Sequence, residues 1–206
     1  MATMYSLFLG VLFIALCSVE GSRDRPVIYP YARLSPELVD KAWTLGRYQV
    51  SGLSNIADKR VRIIAIAKAE LGVQEATGRN DGNRVEQYLA YTHLGKGYAW
   101  CAAFVSWCYG QAGLPAPRNP WSPALFPKTK VYWQSGKWMR GRKDRVEAAD
   151  LFGIYGQGTG RIDHTGLIQW WEGNYLITVE GNSNDRVESR RRHLRTVYAL
   201  ADWIGD

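Results

Sequence analysis

The stretch GYAWCAAFVSWCYGQAG, residues 97–113, reads as one helix that begins near Cys101 and carries Cys108 seven residues further on. On one helix two such thiols stand roughly 10 Å apart along the axis. A disulfide needs Cα atoms within about 7 Å, so this pair cannot bridge without unwinding the helix. Were the chain exported, unpaired thiols would point to at least one kept for its reactivity. Position separates the two. At a helix start, unpartnered N–H groups and the dipole favour thiolate over thiol, and the same N–H groups serve as oxyanion donors. Cys101 is therefore the candidate nucleophile. Cys108, two turns later among Phe104, Val105 and Trp107, reads as a small buried hydrophobe.

A thiolate nucleophile needs a base, and the base needs an orienting group. The chain offers three histidines. His193 lies in RRRHLR, read as a solvated basic edge. His93 is in the loop before the cysteine. His164 opens the apolar strand HTGLIQW, which would hold its ring rigidly, and it is the candidate base. One strand later, VEGN supplies Glu180 and Asn182, which would share a strand face if extended. Glu180 is preferred as the orienter because a carboxylate stabilises the imidazolium; Asn182 would then hold the turn or the substrate. Each residue has an ordinary alternative: a buried core cysteine, a satisfied strand histidine, and turn chemistry in EGNSND.

The elements that must position these side chains follow from periodicity. DKRVRIIAIAKAELG, from Asp58, has Val61, Ile64 and Leu71 at helical spacing and Gly72 as a stop. NRVEQYLAY is a second short helix and the Cys101 segment a third, ending at Gly113. LPAPRNPWSPALFP is proline-rich and irregular. After about residue 148 the period changes. ADLFGIYG, HTGLIQWW, YLITVEGN, RVESRRRHL and VYALADWI read as short strands, with WEGNY as a tight hairpin connection. Helices first and strands later predict an α+β domain with an antiparallel sheet.

WCAAFVSWCYGQAG, DHTGLI and VEGN, in this order, resemble the cysteine helix, histidine strand and Glu-x-Asn element of the CHAP domains. These are cysteine, histidine-dependent amidohydrolases and peptidases of the wider papain-like group that includes the NlpC-type peptidases. The resemblance runs from about Asp58 to the C-terminus. It implies a papain-like fold with the cysteine helix packed on a small antiparallel sheet, Cys101 as nucleophile, and His164 as base and acid. Glu180 and Asn182 become the candidates for orienting His164. The implied substrate is bacterial peptidoglycan or its peptide fragments. Two departures stand out. THLGKGYAW carries no acid where some phage-derived relatives hold calcium, so no metal and no cofactor are expected. Trp100 precedes the cysteine where relatives often have Gln; Tyr98 and Trp100 are the remaining candidates for oxyanion or substrate contacts.

Composition is consistent with export to a polyanionic wall. The 206 residues carry a net charge of +7, with 46% hydrophobic and 22% charged residues, which excludes a disordered chain. No aromatic residues interleave with the basic run RRRHLR, so no nucleic-acid site is expected. The apolar run Tyr5–Cys17, followed by small and polar residues, has the length of a signal-peptide core and is short for a membrane span. The expected division is a signal peptide over 1–22, an N-terminal extension over 23–57 and the hydrolase domain over 58–206. No transmembrane helix remains after signal removal, and the protein is expected to be secreted or periplasmic. A lipid anchor on Cys17 is the alternative. The sequence leaves open a catalytically inactive wall-binding module, an antibacterial toxin with the same chemistry, which amide is cut, and the oligomeric state.

Overall fold

The computed structural model describes residues 55–139 and 146–205. The segment read as a signal peptide, Cys17 and the expected extension up to residue 54 lie outside the described residues. The described residues belong to one compact unit.

Three helices come first: α1 (Asn55–Ala69), α2 (Asn83–Tyr91) and α3 (Cys101–Gln111). The first begins three residues ahead of the expected boundary at 58. Its inner face is Ile63, Ile64 and Ala67, whereas Val61 and Leu71 are exposed. The expected stripe of Val61, Ile64 and Leu71 is corrected accordingly. Arg60 decides the rotation. Its guanidinium is buried against Asp150 (2.7 Å), Asp202 (2.9 Å) and Glu147 (2.9 Å), ties the helix to the sheet and the C-terminal segment, and turns Val61 outward. Gly72, at φ 89°, supplies the left-handed residue that ends this segment.

Residues 101–109 of α3 are all buried. A helix apolar on every side must be wrapped on every side. Here α2 and α1 lie against it, and β4 and β5 form the floor.

The sheet has seven strands in the order β2-β1-β7-β3-β4-β5-β6: β1 (Val131–Gln134), β2 (Lys137–Trp138), β3 (Leu151–Gly156), β4 (Arg161–Glu172), β5 (Tyr175–Ser183), β6 (Arg186–His193) and β7 (Ala199–Ala201). All pairings are antiparallel, so the molecule is α+β as expected. The β1–β2 hairpin was not anticipated. Four residues of strand separated from two by Ser135 and Gly136 are too short for a visible period. A short 3₁₀ helix, η1 (Ser122–Leu125), sits in the proline-rich stretch.

Leu167 and Ile168, neighbours on β4, belong to different buried clusters, because successive strand residues face opposite sides of a sheet. The larger cluster lies under the helices. The smaller gathers Tyr132, Phe152, Ile168, Leu176 and Leu200.

Two β-bulges interrupt this sheet where chemistry is expected. Ile154 pairs with His164 and Tyr155 with Ile162, so Asp163 is the extra residue of β4. Glu180 pairs with Glu188 and Ser183 with Arg186, so Gly181 and Asn182 face one residue of β6. Bulges re-aim side chains and end pairing locally, and both do so here.

Candidate active site

Cys101 is the first residue of α3 and is 3% exposed. The Sγ lies 3.3 Å from the Ser122 Oγ of η1 and 3.9 Å from the Asp163 carbonyl oxygen at the β4 bulge. The β4–β5 ladder begins at Leu167–Val179. Short of it, the backbone of residues 163–165 is free to meet the sulfur, and the Thr165 N–H reaches it.

His164 connects the thiol to a buried carboxylate. Its Nε2 lies 2.7 Å from Glu180 Oε2, which leaves Nδ1 for the Cys101 thiol, its other hydrogen-bond partner. Glu180 is fully buried and saturated with donors. Thr178 Oγ1 donates to Oε1, and Arg192 straddles the carboxylate, with Nε on Oε1 (2.6 Å) and Nη2 on Oε2 (2.5 Å). The line Cys101–His164–Glu180–Arg192 thus crosses from α3 to β6.

Its electrostatics run in one direction. Burial pushes the Glu180 carboxyl up, but the hydrogen bonds and charges of His164 and Arg192 outweigh burial and hold it at about 2. Burial pushes His164 down, but Cys101 and Glu180 raise it to about 9. Burial likewise pushes the Cys101 thiol up. His164, with Ser122 and the Thr165 N–H, more than offsets this and brings it below the ordinary thiol range. Each group therefore favours the charged form of the other, a thiolate beside an imidazolium.

Asn182 is elsewhere. The bulge places it at φ 56°, so it does not share a strand face with Glu180. Its Nδ2 donates instead to Glu75 Oε1 (3.0 Å) and Asn80 Oδ1 (2.7 Å). Gly181 explains why the bulge falls there. A Cβ at that position would stand 2.6 Å from Phe104 and 2.7 Å from the Trp100 ring, so only glycine lets β5 pass this close to the helix start. Trp100 is also corrected. It is fully buried, and its Nε1 donates to Glu75 Oε1 at 2.8 Å, so it supports the helix start and does not face a substrate. Glu75 thereby clamps Trp100, Asn182 and the Asn80 amide N–H (2.8 Å) together. Tyr98 is 58% exposed, three residues before the thiol.

Four groups in and around the site were not anticipated from sequence. Ser122 lies in an aperiodic proline-rich stretch. Glu75 lies in a loop. The Asp163 carbonyl depends on a bulge. Arg192 belongs to RRRHLR, read as a solvated edge, yet its side chain is only 18% exposed. The hairpin between β5 and β6 was the available signal for Arg192, but the bulge at Asn182 hides its register. His93 is exposed in its loop. His193 accepts a hydrogen bond from the Arg195 backbone and packs edge-on to Tyr175. Neither meets Cys101. Cys108 is buried without a disulfide. Among the described residues no group of three or more His, Cys, Asp or Glu gathers as a metal site, and no helix is long and apolar enough to cross a membrane.

Residues 93–182 match the family model of the CHAP domain. The match takes in Cys101, His164, Glu180 and Asn182; Glu75 and Arg192 fall outside it. Solved structures similar to this chain include the peptidoglycan hydrolase RipB from Mycobacterium tuberculosis, at 15% identity and a TM-score of 0.47, covering 75% of this chain and 69% of that one. An NlpC/P60 family protein from Bacillus cereus, at 15% identity and a TM-score of 0.43, is covered over 40% of its length and covers 71% of this chain. The P60 domain of an M. avium paratuberculosis antigen, at 12% identity and a TM-score of 0.43, is covered over 93% of its length and covers 71% of this chain. No curated protein sequence matches. Likenesses this distant leave the chemistry to be read from the chain's own residues.

Proposed function

We propose that this protein is an exported cysteine amidohydrolase or endopeptidase that cuts amide bonds in bacterial peptidoglycan. The observation that carries the reading is the hydrogen-bonded line Cys101–His164–Glu180–Arg192, which holds a thiol below its ordinary range beside a protonated histidine. In this reading the Cys101 thiolate attacks the amide carbonyl carbon. The oxyanion is met by the Cys101 N–H at the start of α3 and by the Ser122 hydroxyl, 3.3 Å from the sulfur. The imidazolium Nδ1 gives its proton to the leaving amine as the C–N bond breaks, leaving a thioacyl intermediate. His164, now neutral, takes a proton from water as the water attacks the thioester, and the acid product departs with the thiol restored to its ion pair. Glu180 stays ionised throughout and keeps the imidazole in register.

Peptidoglycan is the substrate implied by the CHAP domain and by the name of a structural relative, a peptidoglycan hydrolase. The net charge of +7 suits an anionic wall. Removal of residues 1–22, which hold Glu20 and no basic residue, would raise that charge by one. The test is lysis of purified sacculi by the wild type and by Cys101→Ala, with mass spectrometry of the released muropeptides. Release by the wild type alone supports the reading, and the fragment masses name the bond. Sacculi left intact by well-folded wild type would overturn it. N-terminal sequencing of the protein recovered outside the cytoplasm tests export.

A further inference from the structure

A cavity of about 250 Å³ opens over the β1–β7–β3 part of the sheet, and the proposed chemistry leaves it unused. Its lining includes Pro123 and Ile162. These are the chain neighbours of Ser122 and Asp163, whose hydroxyl and carbonyl oxygens face the Cys101 sulfur. From β4 the proton-handling line runs one way across the sheet, through β5 to β6. The cavity lies the other way, over β3, β7 and β1. The sheet therefore has an acid–base half and an unassigned half, with the nucleophile at the seam.

The lining of that second half is chemically specific. Phe126 and Ile162 make an apolar floor, seated over Gly153, where a Cβ would stand 2.9 Å from the Phe126 ring. Tyr155 and Tyr198 form one wall, with ring centroids 4.9 Å apart. The Tyr198 hydroxyl accepts a hydrogen bond from Gln134 Nε2 at 2.7 Å, so its own proton remains to be donated. Arg161 completes the lining and is exposed. No carboxylate among the described residues pairs with its guanidinium.

We propose that this cavity is the subsite that reads a carboxylate-bearing amino-acid residue beside the scissile amide, with Arg161 taking the carboxylate and the tyrosine wall seating the aliphatic stem. Volume and charge both select this occupant. Pockets for drug-sized ligands occupy about 300–1,000 Å³, so this one holds a single residue and not a disaccharide. A planar guanidinium with free donors matches a carboxylate in two parallel hydrogen bonds. A cationic side chain would be repelled, and a carboxamide accepts only one of the two bonds. The inference rests on the amide-hydrolase reading for the identity of the ligand.

The experiment uses muropeptides with free stem carboxylates and the same pool converted to carboxamides with carbodiimide and ammonia. The wild type is expected to turn over the free pool with kcat/KM about tenfold higher, the difference lying in KM, as for loss of one partly exposed charged hydrogen-bond pair. Arg161→Gln should fall to the same low value on both pools, Arg161→Lys should lie between, and Tyr198→Phe should raise KM severalfold on the free pool only. A second arm measures binding of both pools to Cys101→Ala by calorimetry, where the free pool should bind about tenfold tighter, a preference that Cys101→Ala combined with Arg161→Gln should lose. Equal turnover of the two pools by the wild type, or a preference that survives Arg161→Gln, overturns the subsite and leaves the hydrolase reading standing. Discrimination in the binding arm without any turnover by the wild type upholds the subsite and overturns the hydrolase reading.

Discussion

Cys101 and Cys108 stand on one helix, both buried and both unpaired, yet their thiols move in opposite directions. Burial raises both. At Cys108 it goes nearly unopposed and is reinforced by the nearby Glu70 carboxylate, so the thiol is pushed well above its ordinary range. At Cys101 His164, Ser122 and the Thr165 N–H reverse it. Two helical turns separate a reactive environment from an inert one. Depth does not distinguish them, since Cys101 is 3% exposed and Cys108 0%. What distinguishes them is which end of the helix meets the bulged strands. Access to the helix start, where β4 and β5 part, brings an imidazole. Cys108, in the middle of the helix, feels the Glu70 carboxylate and the Arg84 guanidinium in place of an imidazole.

The comparison is broken most directly by removing each sulfur in turn. Cys101→Ala is expected to abolish release of muropeptides with folding intact. Cys108→Ala should keep most activity and cost about 1 kcal/mol of stability from the small void it leaves. Equal activity losses in the two variants would mean that the site does not centre on Cys101.

Glu180→Gln should come next. It removes the charge that, together with Cys101, raises His164 to about 9, so the basic limb of the pH–rate profile should move down, with a rate loss of tenfold or more. His164, raised from its ordinary value, contributes stability that is complete below about pH 6.5 and is lost as pH climbs through about 9. The wild type should therefore lose stability between those limits, and in Glu180→Gln that loss should shift to lower pH. A profile that ignores the substitution would remove Glu180 from the relay.

Arg192→Ala sharpens the same line from its far end. Glu180, held at about 2, contributes stability that is present above about pH 4.5 and is lost as pH falls through about 2. Without the Arg192 fork the Glu180 carboxyl should titrate higher. Acid unfolding should begin at higher pH, and the rate at neutral pH should drop severalfold. Arg192→Lys should recover part of both, because it keeps the charge and loses the fork.

Alkylation resolves the two thiols without mutation. Iodoacetamide at neutral pH should modify Cys101 first, with peptide mapping finding Cys108 unlabelled until the protein unfolds.

Asn182→Ala should produce the smallest effect on chemistry. It removes two hydrogen bonds and places alanine at φ 56°, which should cost about 1–2 kcal/mol of stability. The pH limbs should stay where they are. A collapse of the rate at unchanged stability would give Asn182 a role in catalysis that its place in the structure does not suggest.

Much of this was legible in the chain itself. An α+β domain followed from helical spacing ahead of residue 113 and alternation after residue 148. Cys101 followed from its place at the head of an apolar run, and His164 and Glu180 from strands in the right order. Local physics suffices for these, because capping, period and side-chain charge are properties of neighbours in sequence. Whatever depends on register was decided by the tertiary structure. Asn182 left the face of Glu180 because Gly181 must pass within reach of Phe104 and Trp100. Val61 turned outward because Arg60 had to meet three acids, all more than 80 residues away along the chain. Arg192 entered the site because a bulged hairpin carried one member of a basic run over a buried carboxylate. Ser122 reached the sulfur from a segment with no period at all. Contacts of this kind join residues far apart along the chain, and their energies belong to the packed state, so no window of sequence contains them.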